Sequence, residues 1–163
     1  DAAMIKVDWA MSAIVGAAGL TPTIELAKKT GTLALANKES LVCAGELVKS
    51  ICTRSGCKLI PVDSEHCAIF QALGGGKKSD ISRIILTASG GPFRNWTLKQ
   101  MADATLQQAM AHPNWDMGQR ISIDSATMFN KALDVIEAHQ SLALASSRTQ
   151  VVLPPQSLVD YLL

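Results

Sequence analysis

The sequence predicts an α/β fold with a parallel sheet in its first part. Three short apolar runs typical of strands, at 12–15, 32–36 and 58–62, alternate with longer segments of helical periodicity. This alternation is typical of βαβ units, in which helices cover a sheet of parallel strands. Polar residues follow the second and third runs, and ligands bind at the carboxyl ends of the strands in such sheets. The sequence therefore predicts a fold class and the edge of the sheet where a site would lie.

The helices of the first part are predicted from their end signals and apolar faces. The first is predicted over 21–30, with Thr21 as its N-cap and Gly31 as its C-terminal stop. An apolar stripe predicts the second helix over 40–53, and the third follows the last strand over 64–73.

The second part of the chain predicts a mixture of elements. A Gly-rich stretch at 74–79 indicates a connector, because no strand leads directly into it. A long helix is predicted from a cap at Asp124 or Ser125 to about residue 139. The other predicted elements are a strand at 81–87, helices at 97–101 and 105–111, a loop at 112–115, and strands at 121–123 and 150–153. This order is typical of an α+β region.

The composition excludes several classes of protein. Of 163 residues, 48% are hydrophobic and 4% aromatic, and the formal net charge is +1. A chain this close to neutrality presents no predicted basic surface for nucleic acid or acidic lipid. No apolar stretch is long enough to span a bilayer, and the four cysteines form no C-x-x-C pair, so we expect reduced thiols. We expect neither nucleic acid nor a membrane as a partner.

Two carboxylates end the third predicted strand. Asp63 and Glu65 flank Ser64 directly after the apolar run at 58–62. Side chains two positions apart in an extended segment point to the same side, so both carboxylates could reach one hard cation such as Mg²⁺ or Mn²⁺. The alternative is a helix N-terminus, with Asp63 or Ser64 as the cap and Glu65 in the first turn. The three residues alone leave both interpretations open.

Candidate anion-binding residues follow two other predicted strands. Lys38, beside Glu39, could approach a phosphate or an ionised oxygen, and the alternative is a solvated ion pair at a helix start. Ser89 and the two glycines after it offer a hydroxyl and open backbone N–H groups to an anion, and the alternative is an ordinary turn.

The long helix and the loop before it carry the remaining candidates. Ser125 is predicted at the positive end of the helix dipole, where phosphate binds well, and Lys131 and Asp134 share a face. The alternative is a capped amphipathic helix with a surface ion pair. In the loop, His112 could contact a phosphate or hydroxyl from a mobile lid, with Trp115 as an apolar cover. A structural histidine and a core tryptophan are the alternatives.

Five motifs in a fixed order make these signals specific. The motifs are Ala-Asn-Lys-Glu-Ser-Leu at 36–41, Pro-Val-Asp-Ser-Glu-His at 61–66, Ser-Gly-Gly-Pro-Phe at 89–93, His-Pro-Asn-Trp-Asp-Met-Gly at 112–118 and Asp-Ser-Ala-Thr-Met-Phe-Asn-Lys at 124–131. Together they resemble the 1-deoxy-D-xylulose 5-phosphate reductoisomerase family, NADPH-dependent enzymes of the non-mevalonate isoprenoid pathway. The similarity runs from about residue 14 to about residue 157.

The resemblance implies a domain division and a reaction. Residues 1–62 would be the C-terminal part of a Rossmann-like NADPH-binding domain, and 63–163 an incomplete α+β catalytic domain. The implied reaction converts 1-deoxy-D-xylulose 5-phosphate to 2-C-methyl-D-erythritol 4-phosphate by metal-assisted skeletal rearrangement and hydride transfer. The implied cofactors are NADPH and Mg²⁺ or Mn²⁺, and the partner is a sugar phosphate. Family members are commonly homodimers, in the bacterial cytoplasm or the plastid stroma.

The resemblance also implies roles for single residues. The implied metal ligands are Asp63, Glu65 and Asp134. The implied cofactor contacts are Asn37, Glu39 and Gly118. The implied catalytic residues are Lys38, Glu65 and His112. The implied substrate contacts are Lys38, Ser64, Glu65, Ser89, His112, Ser125, Asn130, Lys131 and Asp134.

Three departures from the family pattern bear on activity. Asp134 stands where the family has Glu; because magnesium requires ligand distances of about 2.0–2.1 Å, we expect a helix shift or an intervening water. Pro154 stands where the family has His, and the residues after Ser157 diverge. Nothing matches the Gly-rich pyrophosphate loop, and the stretch at 16–19 is no substitute. We therefore expect a piece of a longer polypeptide. The alternatives are an inactive remnant that binds only metal or sugar phosphate, and a generic α/β interaction domain.

Overall fold

The computed structural model describes residues 2–113, 116–142, 145–154 and 161–162. In these ranges, two three-stranded sheets follow each other along the chain, and helices pack against both. The α/β fold with parallel strands that the sequence predicts is confirmed. None of the helices in these ranges combines the length and apolar character needed to cross a membrane.

The first sheet is parallel, and its strands end side by side. Its elements are β1 (Val7–Ser12), α1 (Leu20–Lys29), β2 (Thr30–Leu35), α2 (Lys38–Ser55), β3 (Lys58–Pro61) and α3 (Ser64–Leu73). The strand order is β1-β2-β3, with Ser12 opposite Leu35 and Leu35 opposite Pro61. The buried core of this region consists of Ala27, Leu33, Leu35, Leu41, Val48, Ile51, Cys52 and Cys57. Because the strands are in register, the residues that follow them gather at one edge.

The second sheet is mixed. Its strands and the helices around it are β4 (Ile84–Thr87), α4 (Leu98–Ala102), α5 (Leu106–Met110), α6 (Gln119–Ala126), α7 (Phe129–Leu142), β5 (Thr149–Val152) and β6 (Tyr161–Leu162). Strand β4 lies between β5, which is parallel to it, and β6, which is antiparallel. The buried core here consists of Ile69, Ile81, Ile84, Leu86, Ala138 and Leu142.

Helices α2 and α7 pack closely and connect the two regions. Gly45 of α2 is buried, and a Cβ at this position would lie 2.6 Å from Cδ of Gln140 on α7. The absence of a side chain therefore permits the close approach of the helices. This approach places the start of α2 beside the middle of α7, where the sequence predicts site residues.

Several predicted elements agree with the structure. Helix α3 has the predicted bounds. Helices α4 and α5 begin directly after Thr97 and Thr105, and both of these residues form capping boxes.

At the start of the chain three predictions were wrong. The first strand is β1 rather than 12–15, because its apolar residues lie on an exposed edge strand and give no half-buried alternation. Thr21 is not an N-cap, since a 3-10 turn at Ala17–Gly19 leads directly into α1. Gly31 does not stop the helix but lies in β2, which begins immediately after α1.

The strand predicted at 121–123 is also wrong. These residues lie in α6, where the Ser122 hydroxyl donates to the Gly118 carbonyl at 3.0 Å, as helical serines do. The predicted long helix is therefore two helices, separated at Met128, which has a φ of 60°. Ser125 lies near the C-terminal end of α6. The prediction that it lies at the positive end of a helix dipole is wrong.

Candidate functional site

A cavity of about 400 Å³ opens where the first sheet meets α6 and α7. Most predicted site residues line it: Lys38, Asp63, Ser64, Glu65, Ser89, His112, Ser125, Asn130 and Lys131. Pro154 lines it as well. Asp134 is completely buried and lies beneath this lining. The predicted cofactor contacts Asn37, Glu39 and Gly118 are not among the lining residues.

Three carboxylates and two ammonium groups alternate at the base of this cavity. Lys38 Nζ lies 2.7 Å from Asp63 Oδ2 and 2.5 Å from Asp134 Oδ1. Lys131 Nζ lies 2.6 Å from Glu65 Oε1 and 2.8 Å from Asp134 Oδ2. We call these five residues the acid–lysine cluster. Asp134 is its centre, since each of its oxygens contacts a different lysine.

The electrostatics of the acid–lysine cluster keep both lysines protonated and attract a further cation. Burial disfavours the charged form of both lysines, but the neighbouring carboxylates outweigh it and raise the pKa of Lys38 and of Lys131. Burial likewise opposes ionisation of Asp63, yet the side-chain contact with His66 and the charge of Lys38 hold the Asp63 pKa well below its ordinary value. The cluster therefore carries one more carboxylate than ammonium groups, and a further cation would be attracted to it.

The geometry around Asp63 bears on the choice between helix cap and ligand. Asp63 occupies the N-cap position of α3, but its side chain makes no cap hydrogen bond. Its carboxylate points instead to Lys38. Ser64 donates to Glu65 Oε2 at 2.7 Å. The helix therefore begins at the predicted residue without using the carboxylate as a cap.

Asn37 and Glu39 are held in a network after β2. The Asn37 Oδ1 accepts from the Ser40 backbone N–H at 2.9 Å, which caps α2. The Asn37 amide donates to the Ile14 carbonyl at 2.7 Å and to Glu39 Oε2 at 2.9 Å. Arg120 Nη2 lies 3.1 Å from Glu39 Oε1. Asn37 is therefore occupied in holding the first sheet's edge, and Arg120 is a neighbour that the sequence reasoning missed.

The loop after β4 brings a serine and a histidine together. Ser89 Oγ lies 2.9 Å from His112 Nε2, and burial lowers the His112 pKa. Gly91 has a φ of 63°, and a Cβ at this position would collide with the Ser125 carbonyl oxygen. The glycine thus permits the loop to lie directly against α6. Trp115, the predicted apolar cover of His112, lies outside the described residues.

One lining amide remains available to a ligand. Asn130 Oδ1 is buried and makes no hydrogen bond within the part of the chain that the structure describes. Asn130 lies in the first turn of α7, next to Lys131.

A second set of groups lies behind the acid–lysine cluster. Ligand atoms of Asp63, His66 and Glu137 all lie within 4.8 Å of one another. In the sequence analysis His66 appears only as the last residue of the motif at 61–66, and Glu137 was missed. The signal that could have found Glu137 is its spacing of three residues from Asp134 on one helix.

The parallel sheet with polar residues at its carboxyl edge places the chain in the class of α/β folds that bind ligands at this edge. Two family models match it, "1-deoxy-D-xylulose 5-phosphate reductoisomerase" over residues 2–45 and "1-deoxy-D-xylulose 5-phosphate reductoisomerase C-terminal domain" over residues 59–142. The chain belongs to the 1-deoxy-D-xylulose 5-phosphate reductoisomerase family. The family membership predicted from the sequence is confirmed.

Individual relatives agree with this membership. The chain is 57% identical over 155 residues to the reductoisomerase of Ruegeria pomeroyi, covering 95% of this chain and 39% of the relative. It is 55% identical over 159 residues to that of Paracoccus denitrificans, covering 98% and 41%. The chain therefore spans about two fifths of the length of the curated relatives that it matches.

Solved structures of family members superpose closely on this chain. The Zymomonas mobilis reductoisomerase in complex with NADPH gives a TM-score of 0.87 at 46% identity, covering 98% of this chain and 41% of that one. A DOX-P reductoisomerase in complex with NADPH, fosmidomycin and magnesium gives 0.88 at 44% identity, covering 98% and 42%.

Proposed function

We propose that this chain carries the metal- and substrate-binding part of an NADPH-dependent reductoisomerase. The reaction would convert 1-deoxy-D-xylulose 5-phosphate to 2-C-methyl-D-erythritol 4-phosphate by rearrangement and hydride transfer. The observation that carries the proposal is the acid–lysine cluster, in which carboxylates from two separated segments meet at the base of one cavity. Relatives that share this fold include complexes with NADPH and with magnesium.

Asp63, Glu65 and Asp134 would hold Mg²⁺ or Mn²⁺. Their oxygens are the hard ligands these ions prefer. The two lysine ammonium groups already contact these oxygens, so the carboxylates are arranged around positive charge. The ion, when bound, supplies Lewis-acid stabilisation of negative charge on neighbouring oxygens.

The rest of the cavity would orient the sugar phosphate. Ser89 and His112 form one pair of polar groups, and Ser125 and Asn130 offer a hydroxyl and an amide on the α6–α7 side. Lys38, next to the proposed metal ligands, would stabilise negative charge on the substrate oxygens. Ser64 and Lys131 would complete the lining near Glu65.

The cofactor contacts are proposed at the edge of the first sheet. Gly118 precedes α6, and a Cβ at this position would meet nothing within 4 Å. Glu39 would contact NADPH beside Arg120, whereas Asn37 would act by shaping this edge. NADPH would supply the hydride. We also propose that residues 1–62 belong to the cofactor domain and 63–163 to the catalytic domain, in a homodimer with a cytoplasmic or plastid location.

Two measurements test the proposal. We expect an Asp63→Asn, Glu65→Gln double variant to bind Mn²⁺ at least about tenfold more weakly than the parent chain. An Asp80→Asn, Asp103→Asn variant, changed at exposed acids, is the matched control. Equal Mn²⁺ affinity in the parent and the site variant would refute the metal ligands.

NADPH absorbance with 1-deoxy-D-xylulose 5-phosphate and Mn²⁺ then tests the reaction. Oxidation of NADPH by this chain supports the proposed reaction directly. Binding of Mn²⁺ and substrate without oxidation would support the alternative, a part that binds but does not transfer hydride.

A further inference from the structure

A buried histidine and glutamate lie directly behind the acid–lysine cluster. His66 on α3 and Glu137 on α7 are 2% and 1% exposed. His66 Nδ1 lies 3.3 Å from Glu137 Oε2 and 3.7 Å from Asp63 Oδ1. On the other side of the ring, His66 Nε2 lies 2.9 Å from the backbone oxygen of Asp134. One imidazole therefore connects α3 to α7 at the central residue of the cluster.

The partners of the ring fix the direction of these contacts. A backbone oxygen only accepts, so His66 Nε2 carries a proton and donates it to Asp134. His66 Nδ1 faces Glu137 Oε2 at 3.3 Å and, further away, Asp63 Oδ1 at 3.7 Å. Neither His66 Nδ1 nor Glu137 Oε2 makes a hydrogen bond of good geometry among the described residues, so their contact is electrostatic. Glu137 is thus a specific support for the ring.

The backbone of Asp134 determines the position of its carboxylate more closely than the backbone of a glutamate would. An aspartate has only two side-chain torsions, so its Cα largely determines where its carboxylate lies. The Asp134 carboxylate must reach Lys38 on one side and Lys131 on the other. The His66 contact holds the peptide unit from which this short side chain extends.

We propose that His66 and Glu137 form a positioning pair that sets the Asp134 carboxylate in place and thereby strengthens divalent-cation binding. The proposal rests on the proposed function, because it takes Asp134 as a metal ligand. Residues that orient metal ligands typically change metal affinity by 10- to 100-fold when they are replaced.

Two substitutions at one position separate positioning from general stability. His66→Gln places an amide near Nε2 and keeps a donor for the Asp134 oxygen. His66→Asn places its amide near Nδ1 and loses that donor. Glu46→Gln, at an exposed acid that pairs with Lys49, is a control for charge removal.

The readout is Mn²⁺ affinity of the 163-residue chain, measured from the electron paramagnetic resonance signal of free Mn²⁺, together with the melting temperature. We expect His66→Asn to raise the Kd at least about tenfold and His66→Gln to stay within about threefold of the parent. We expect Glu137→Ala to weaken binding in the same way, and Glu137→Gln, which keeps an acceptor, to weaken it less.

The outcomes that overturn the proposal are distinct. If the two His66 variants bind Mn²⁺ as the parent does, the pair does not position a ligand, while the proposed metal site survives. If both lose affinity equally and in step with their melting temperatures, the role is structural only. If the parent chain itself binds no Mn²⁺, the proposed metal site fails and this proposal fails with it.

Discussion

Lys38 Nζ lies 2.5 Å from Asp134 Oδ1, although the two residues are 96 positions apart in the sequence. Lys38 begins α2 and Asp134 lies in α7, and these helices approach closely at Gly45. The site is therefore not a local motif. It depends on how the two sheet regions are packed together.

Removing either lysine should destabilise the fold more than removing an exposed one. Lys38→Met leaves Asp63 and Asp134 without their shared ammonium, and breaking a buried pair costs about 3–5 kcal/mol. Lys49→Met removes an ion pair of 2.6 Å at the surface, which is worth at most about 1 kcal/mol. Urea unfolding of both variants measures the difference. Equal losses of unfolding free energy would show that the buried contacts of Lys38 stabilise the fold no more than the exposed pair of Lys49.

Lengthening the central acid should strengthen metal binding. Asp134→Glu adds the methylene that the family resemblance implies at this position, so its carboxylate would extend further toward Asp63 and Glu65. We expect a lower Kd for Mn²⁺, measured by calorimetric titration. Asp103→Glu, an exposed change of the same kind, should leave the Kd unaltered. An unchanged or higher Kd for Asp134→Glu would count against a retracted ligand.

The loop after β4 should tolerate no side chain at Gly91. Gly91→Ala adds left-handed strain of about 1–2 kcal/mol and a collision with the Ser125 carbonyl. Gly56→Ala also lies at positive φ, 74°, but its Cβ would meet nothing within 4 Å. We therefore expect Gly91→Ala to lower the melting temperature clearly further than Gly56→Ala. Similar melting temperatures would mean that the loop can move away from α6.

The stability of the metal-free chain should fall as the pH rises through weakly acidic values. Burial raises the pKa of Glu137 from 4.5 to about 7, so between these values the folded chain holds a proton that the unfolded chain has released. The raised pKa of His66 acts in the same direction above pH 6.5. The lowered pKa of Asp63 has the opposite effect, since its stabilisation is lost only as the pH falls below about 3.8.

Replacing Glu137 tests this dependence. Glu137→Gln should flatten the decrease in unfolding free energy between pH 5 and pH 7 by about 1–3 kcal/mol. Urea unfolding at a series of pH values measures it. A variant whose profile parallels that of the parent would show that Glu137 does not titrate in this range.

Much of the fold could be predicted from local patterns. Helix α3 begins at the predicted residue, shortly after the strand that ends in Pro61, and the threonine caps of α4 and α5 are local signals. The errors arose where two patterns fit equally well. The Ile121–Ile123 alternation suits a strand, but the serine between them bonds back within a helix.

The site could be predicted only in part. The ordered motifs of the sequence identified residues such as Lys38, Glu65 and Lys131, and all three line the cavity. The ionic contacts among them depend on the α2–α7 packing, which no single segment encodes. Glu137 and Arg120 were missed for the same reason, since their partners His66 and Glu39 lie on other helices.

The alternation of acids and lysines has a consequence for the handling of this protein. The lysines act as tethered counter-ions, which neutralise most of the carboxylate repulsion from within the chain. Chelators should therefore remove a bound divalent ion without unfolding the molecule, unlike the small domains whose folding depends on their metal. Because the two ammonium groups are covalently attached, a divalent ion must always compete with them, which lowers its affinity. The same groups hold the carboxylates in place when no metal is bound.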